Sequence, residues 1–350
     1  MVRDSGVCGT RWLLLSDGAL PTEDIYFMAT AAPWLRYAGA TVTRLDTRRW
    51  ASPLLCWPWL DRTLSGAQVI VCRTLSEAWI DLLESRRAQL ASVHYLLDDD
   101  LDAAAMDPGL PVRYRERMGW VSCRILPRLL ALADEVVVAS EELASRIRRR
   151  HSRVATLAPA LLFSPEVATP EATLDGWRLG YYGTRAHLRD LEQIGSALVS
   201  VLEAHSGLTL EVAMGRYTPE PLRHHDRVST PDPMAWKAFL GHLKGSRLHL
   251  GLAPLWPTRF NAAKSHIKFL EIAATGGVGL FSRRAPYSNI VSDGVDGLLV
   301  DDDPADWQRC LVRLLASPRD THRMAQRALE KARDIGSPAH HRAFWHERQC

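Results

Sequence analysis

The residues whose types and spacing suggest chemistry are the lysines. Only five occur in 350 residues that carry 43 Lys and Arg together, so arginine supplies most of the positive charge. Two of the five, Lys264 and Lys268, lie close together, with Ser265 between them and Glu271 just beyond. On a helix, the spacing i, i+4, i+7 places Lys264, Lys268 and Glu271 along one face. The stretch from Arg259 to Gly277 reads as such a helix, with Asn261 as N-cap and Gly276 or Gly277 as its stop. Ile267, Phe269 and Ile272 are left to pack on the other side. A helix N-terminus carries about half a positive charge and several free N–H groups. Two ammonium groups beside it make a site for a diphosphate, and a carboxylate about a turn further in can accept both hydroxyls of a ribose. The same spacing is also that of a solvated face on which Lys264 or Lys268 pairs with Glu271.

A second group is Asp98-Asp99-Asp100, directly after the apolar run Val93 to Leu97. That is the carboxyl end of a strand, where open α/β sheets place their ligands. Adjacent carboxylates can hold a divalent cation or act as a base toward an acceptor hydroxyl. Acceptor-side polarity or helix capping is the preferred reading here, and no metal is expected. His94, within the run, faces either the cleft or the core, and is grouped with the acceptor side. The basic run Arg146 to His151 follows an amphipathic stretch. Such runs are usually solvated faces; the alternative is weak peripheral attraction to an anionic membrane surface.

The elements that must position these residues alternate between short apolar runs and amphipathic stretches, as βαβ units of an α/β fold do. Strands are expected at Trp12 to Leu15, Thr41 to Leu45, Val69 to Cys72, Val93 to Leu97 and Glu135 to Ala139, with a helix over Glu23 to Ala38. Ala51 to Leu60 reads as an irregular connector. A proline-bearing stretch, Ala158 to Gly176, sits midway along the chain. A second series follows, with strands at Trp177 to Gly183, Leu208 to Met214, Leu248 to Pro254, Gly279 to Ser282 and Leu298 to Val300, then helical sequence over Pro304 to Asp334. The expected organisation is an N-terminal doubly wound domain over 1–160, a linker over 161–176, a second over 177–336, and a last segment, 337–350, returning to the first.

Composition agrees with an ordinary globular chain of two cores: 47% hydrophobic and 24% charged residues, with Arg and Ala prominent as in many bacterial proteins. A net charge of +3 gives no field to draw it to nucleic acid, which is excluded as a partner. The six cysteines show no C-x-x-C pair and no zinc spacing, and read as reduced thiols. Met1-Val2-Arg3-Asp4 lacks the apolar core of a signal peptide, and no run approaches the ~18 apolar residues of a spanning helix. A cytoplasmic protein without a transmembrane segment is therefore expected, with no cofactor.

Three segments resemble the family-four-type glycosyltransferases of GT-B fold: Leu179 to Thr184 their first C-terminal strand and glycine turn, Lys264 to Gly277 their nucleotide helix, and Tyr287 to Val300 the strand-turn segment after it. The resemblance implies two Rossmann-like doubly wound domains facing across a cleft. It implies a retaining, hexosyltransferase-like enzyme of glycan biosynthesis that moves a sugar from a nucleoside-diphosphate donor to a glycan, a lipid-linked glycan or a small molecule. Donor contacts would come from Gly18, Gly183, Thr184, Asn261, Lys264, Ser265, Lys268, Glu271, Ser288 and Asn289, with Arg185, Arg189 and Lys268 meeting the leaving diphosphate. The family helix carries two glutamates with seven residues between them; Glu271 matches the second, while Ala263 stands at the first. That departure keeps two alternatives in view: a catalytically inactive module that partners or regulates another enzyme, and a sugar-nucleotide epimerase. Nucleotide base, donor sugar, acceptor and oligomeric state have no signal in the residues.

Overall fold

A computed structural model of the chain describes residues 9–50, 52–56, 59–169 and 176–349. Each half is built on a parallel six-stranded sheet. The first has the order β2-β1-β3-β4-β5-β6, with β1 Arg11–Ser16, β2 Thr41–Asp46, β3 Ala67–Cys72, β4 Ser92–Leu97, β5 Glu135–Val138 and β6 Val154–Thr156. The second has the order β12-β11-β10-β7-β8-β9, with β7 Trp177–Tyr181, β8 Leu208–Val212, β9 Val228–Ser229, β10 Leu250–Ala253, β11 Val278–Ser282 and β12 Leu298–Val300. The short strands β6 and β9 were not among those expected from the sequence, because two or three residues carry too little apolar periodicity to register.

Helices cover both faces of each sheet, which is why the central strands are apolar throughout rather than alternating. Leu13 and Leu15 of β1 enter one core with Val69, Val71 and Tyr95. Trp12 and Leu14 enter the core on the opposite face, with Phe27, Ile70 and Leu96. The second sheet repeats the plan around Leu179, Leu210, Leu250 and Leu280.

Three expected helices are divided. Residues 23–38 become a turn at Leu20–Glu23, a π-helical turn at Asp24–Met28 and a helix at Ala31–Tyr37. Residues 304–334 become helices Pro304–Leu315 and Pro318–Ile335, since Pro318 lacks the amide hydrogen and turns Ser317 out of the helical region (φ −133°, ψ 69°). Residues 259–277 become Arg259–Ala262 and Ile267–Ala274. Here the N-cap is Thr258, whose Oγ1 accepts from Asn261 N at 3.1 Å, and not Asn261 itself. The carbonyls that would have continued this helix are taken by the N-terminal half: Ser140 Oγ donates to Ala263 O (2.7 Å) and Arg146 Nη1 to Arg259 O (2.8 Å). Phe260 and Ala263 are buried in the core of that half.

Residues 161–169 run along the C-terminal half, where Leu161 N meets Gly336 O (2.8 Å) and Thr169 N meets Gly276 O (2.8 Å); residues 170–175 of the expected linker lie outside the described residues, as do Ala51, Trp57 and Pro58 of the connector. The last helix, Pro338–His346, packs on the N-terminal half. Its Trp345 is fully buried, lies 5.7 Å from the Trp12 ring and 5.3 Å from that of Phe27, and donates Nε1–H to Tyr26 O at 2.8 Å. No described helix is long and apolar enough to cross a membrane.

Candidate functional site

The carboxyl ends of the two sheets face each other. In each, the strand order reverses beside the first strand: between β7 and β10 in the second sheet and between β1 and β3 in the first. Chains leaving a sheet on either side of such a point diverge and open a crevice. A cavity of about 200 Å³ occupies the space between the two crevices. From the C-terminal half it is lined by Gly183 and His187 after β7, by Pro254 and Leu255 after β10, and by Lys264, Ser265, Lys268 and Glu271; Thr22, Tyr26, Asp98 and Asp99 form the N-terminal wall.

The division of the 259–277 segment changes the expected stripe. Lys264 stands in the loop before the second helix, so it does not share a helical face with Lys268 and Glu271, although all three reach the cavity. Lys264 Nζ bridges the two halves, lying 2.5 Å from Asp99 Oδ1 and 4.1 Å from the centre of the Phe260 ring. Burial pushes the Asp99 carboxyl up, but Lys264 and Arg73 together outweigh it and hold the group below the usual carboxylate range. Lys268 Nζ is 2.5 Å from Glu271 Oε2, a local ion pair one turn long. No side chain caps the Ile267–Ala274 helix, whose Phe269 amide donates to His266 O at 2.9 Å. Ile267, expected on the packing side, is half-buried and lines the cavity.

Other residues singled out from the sequence lie elsewhere. After β7 the chain makes a tight turn at Arg185–His187 and then enters the helix Leu188–Ala204. Arg185 and Arg189, one turn apart, both face solvent: the first lies over the Tyr217 ring (4.9 Å) and the second over that of Trp256 (5.5 Å), and neither lines the cavity. Thr184, Ser288 and Asn289 are exposed and also stand outside it; in the latter turn it is Tyr287 that points inward. Asn261 is buried as structural cement, its Nδ2 donating to Asp190 Oδ1 (3.0 Å) and Trp256 O (3.1 Å). Gly18 adopts φ +84°, and the Arg48 guanidinium occupies the space a side chain would need there, away from the cavity.

On the N-terminal side, Asp98 accepts from Thr22 Oγ1 at 2.6 Å. Asp100 is turned away as a helix cap, accepting from Ala103 N at 2.8 Å. His94 is a core residue, 5% exposed, with Nδ1 3.3 Å from Glu135 Oε2 and its ring stacked 6.0 Å from that of Trp12; as an interior residue of β4 it cannot reach the sheet's edge. Among the described residues no group of His, Cys, Asp and Glu is arranged to hold a metal ion. The basic run is largely neutralised: Arg146 pairs with Asp100 and Glu142, Arg148 with Glu141 and Arg150 with Asp102.

Sequence reasoning missed His187, Asp190, Tyr26 and Trp236. Trp236 lines the cavity and joins the halves by donating Nε1–H to Asp24 Oδ2 at 2.7 Å. Asp190 is 3% exposed and accepts from Trp256 N (2.7 Å), Asn261 Nδ2 (3.0 Å) and His187 Nδ1 (2.8 Å). The legible signal for this pair was a histidine directly after the glycine turn with a carboxylate three residues on.

Solved structures with the same architecture are known. Sucrose-phosphate synthase from Thermosynechococcus elongatus superposes with a TM-score of 0.67 at 14% identity, over 97% of this chain and 98% of that one. The chain has the glycosyltransferase GT-B fold. A glycosyltransferase from Rickettsia africae gives 0.62 at 8% identity, covering 97% and 98% of the two chains. HepE from Anabaena, solved in complex with UDP and glucose, gives 0.61 at 12% identity, covering 97% and 99%. No protein-family profile matches the chain, and no curated protein does at sequence level.

Proposed function

We propose that this protein is a hexosyltransferase-like enzyme that moves a sugar from a nucleoside-diphosphate donor to a glycan, lipid-linked or small-molecule acceptor hydroxyl, with retention of configuration. One observation carries the reading: a cavity at the switch points of two facing sheets, into which Lys264, Lys268, Glu271 and an uncapped helix N-terminus converge. Two ammonium groups at the start of a helix match a diphosphate, whose charge grows as the bond to the sugar breaks. Donors placed in advance where such charge develops are each worth about 10² to 10³ in rate. Glu271 would release Lys268 to the diphosphate and accept the ribose hydroxyls. With Ala263 buried against the N-terminal core, no carboxylate can act from that position. Asp98 and Asp99, on the facing wall, are the carboxylates placed to receive sugar or acceptor hydroxyls. Neighbours of the same fold that bind UDP with a sugar support a nucleotide-sugar partner.

The test is a thermal-shift panel of nucleoside diphosphates and their sugars, since a ligand at 100 times its Kd stabilises by about 2.7 kcal/mol. The stabilising sugar nucleotide is then incubated with candidate acceptors. Release of nucleoside diphosphate only when acceptor is present is the expected result. Isomerised sugar nucleotide without release would make the protein an epimerase, and binding without either reaction would make it an inactive partner module.

A further inference from the structure

Arg185 and Arg189, expected to meet a leaving diphosphate, face solvent, and the turn that carries Arg185 presents a histidine to the cavity instead. We infer that His187, oriented by the buried carboxylate of Asp190, is a diphosphate-binding residue of this site and engages the anion only as the imidazolium. The inference rests on the nucleotide-sugar reading above.

Three donors surround Asp190: the amide of Trp256, the side-chain amide of Asn261 and the Nδ1–H of His187. The first two come from the segment after β10, so the carboxylate is fixed by the opposite side of the switch point and cannot rotate with the histidine. A buried carboxylate accepts a proton-bearing Nδ1, which settles the tautomer: Nδ1 carries hydrogen, and Nε2 is the atom left to vary. Nε2 makes no hydrogen bond to any described residue, while the side chain, 19% exposed, lines the cavity. The backbone of His187 is held as well, its carbonyl accepting from Tyr181 Oη at 3.0 Å. Such a ring has two states at the cavity wall. Neutral, it offers an Nε2 lone pair that repels a phosphate oxygen; protonated, it offers a charge-assisted N–H donor.

The charged and titratable groups that face it are Asp190 from its own turn, Asp99 from the N-terminal wall, Lys264 bridging to Asp99, and the Tyr181 hydroxyl beneath. His187, Asp99 and Lys264 line the same cavity. A diphosphate lying between Lys268 and the β7 turn would therefore meet an ammonium group on one side and an imidazolium on the other.

The experiment is calorimetric titration of UDP, GDP, ADP and dTDP into the full chain between pH 5.5 and 8.0, for the natural protein, His187→Gln and Lys268→Ala. Glutamine keeps a polar atom near Nε2 but does not titrate, so the phosphate's own ionisation is common to both proteins and cancels in the ratio of their affinities. At low pH the natural protein should bind about tenfold more tightly than His187→Gln, the value of one charge-assisted hydrogen bond, and that advantage should shrink as the pH rises. An unchanging ratio across the range overturns the inference. Should Lys268→Ala lose affinity while His187→Gln follows the natural protein, the nucleotide site stands and the histidine's role falls. If no nucleoside diphosphate binds the natural protein at any pH, the nucleotide-sugar reading fails and the inference with it. Imidazole ¹⁵N spectra supply a readout independent of any variant's folding: His187 should be protonated at Nδ1, and UDP should shift its Nε2 resonance. A ring protonated at Nε2 alone would overturn the assignment.

Discussion

Replacing Lys268 by alanine tests the site most directly, because the side chain has two roles that can be separated. In the structure its Nζ lies 2.5 Å from Glu271 Oε2, with the two side chains 27% and 13% exposed. Removing the ammonium group deletes a charge-assisted hydrogen bond to a bound diphosphate, a loss of about 1.5–3 kcal/mol. It also leaves a largely buried carboxylate at the cavity wall with no counter-charge, so the variant adds repulsion to lost attraction. Affinity for the nucleoside diphosphate should fall by about 10- to 150-fold at neutral pH, following the same free energies. The double variant Lys268→Ala with Glu271→Gln removes the unpaired charge and should recover part of that loss. Titration calorimetry on the four proteins of the cycle gives the coupling between the residues directly. An unchanged affinity in Lys268→Ala, with the natural protein binding, would refute the placement of the diphosphate. A double variant weaker than the single one would refute the electrostatic account of Glu271.

The other predictions concern what holds the two walls together. Trp345→Ala removes a fully buried ring from the Trp12, Phe27 and His94 cluster together with its bond to Tyr26 O; denaturant titration should show a loss of about 3–5 kcal/mol, and an effect under 1 kcal/mol would mean that the last helix is not anchored there. Acid should weaken the protein in two steps. Burial holds His249, His266 and His341 at about 4, against 6.5 for a free histidine, so stability should fall as pH drops from 6.5 toward 4, where the unfolded chain binds protons that the folded chain refuses. Burial raises Glu135, but His94 and Arg348 outweigh it and bring it to about 2, so its contribution, present above 4.5, disappears as pH falls from 4.5 toward 2. Melting curves across this range that are flat above pH 4.5 would contradict the first step.

Ten of the twelve strands among the described residues were legible in the sequence, because a strand buried on both faces must be apolar along its whole length, as in the run Val69 to Cys72. The glycine turn at Gly183 and the carboxylates after β4 were legible for a related reason: polar residues placed directly after such runs fall at a sheet's carboxyl edge. Lys264, Lys268 and Glu271 stood out as rare residues at short spacing, and all three line the cavity.

Only the tertiary structure decided how they are presented. Local periodicity favours one continuous helix over 259–277, but Ser140 and Arg146, distant in sequence, capture the carbonyls that would have propagated it. Lys264 consequently leaves the helix and spans the gap to Asp99. Arg185 and Arg189 had the right charge and an approximately right position, yet the turn after β7 rotates them outward and His187 inward, a choice set by Asp190 and its contacts with Trp256 and Asn261. Charge and spacing are properties of the chain itself. The direction in which a side chain points depends on which backbone groups its partners across the fold have already occupied.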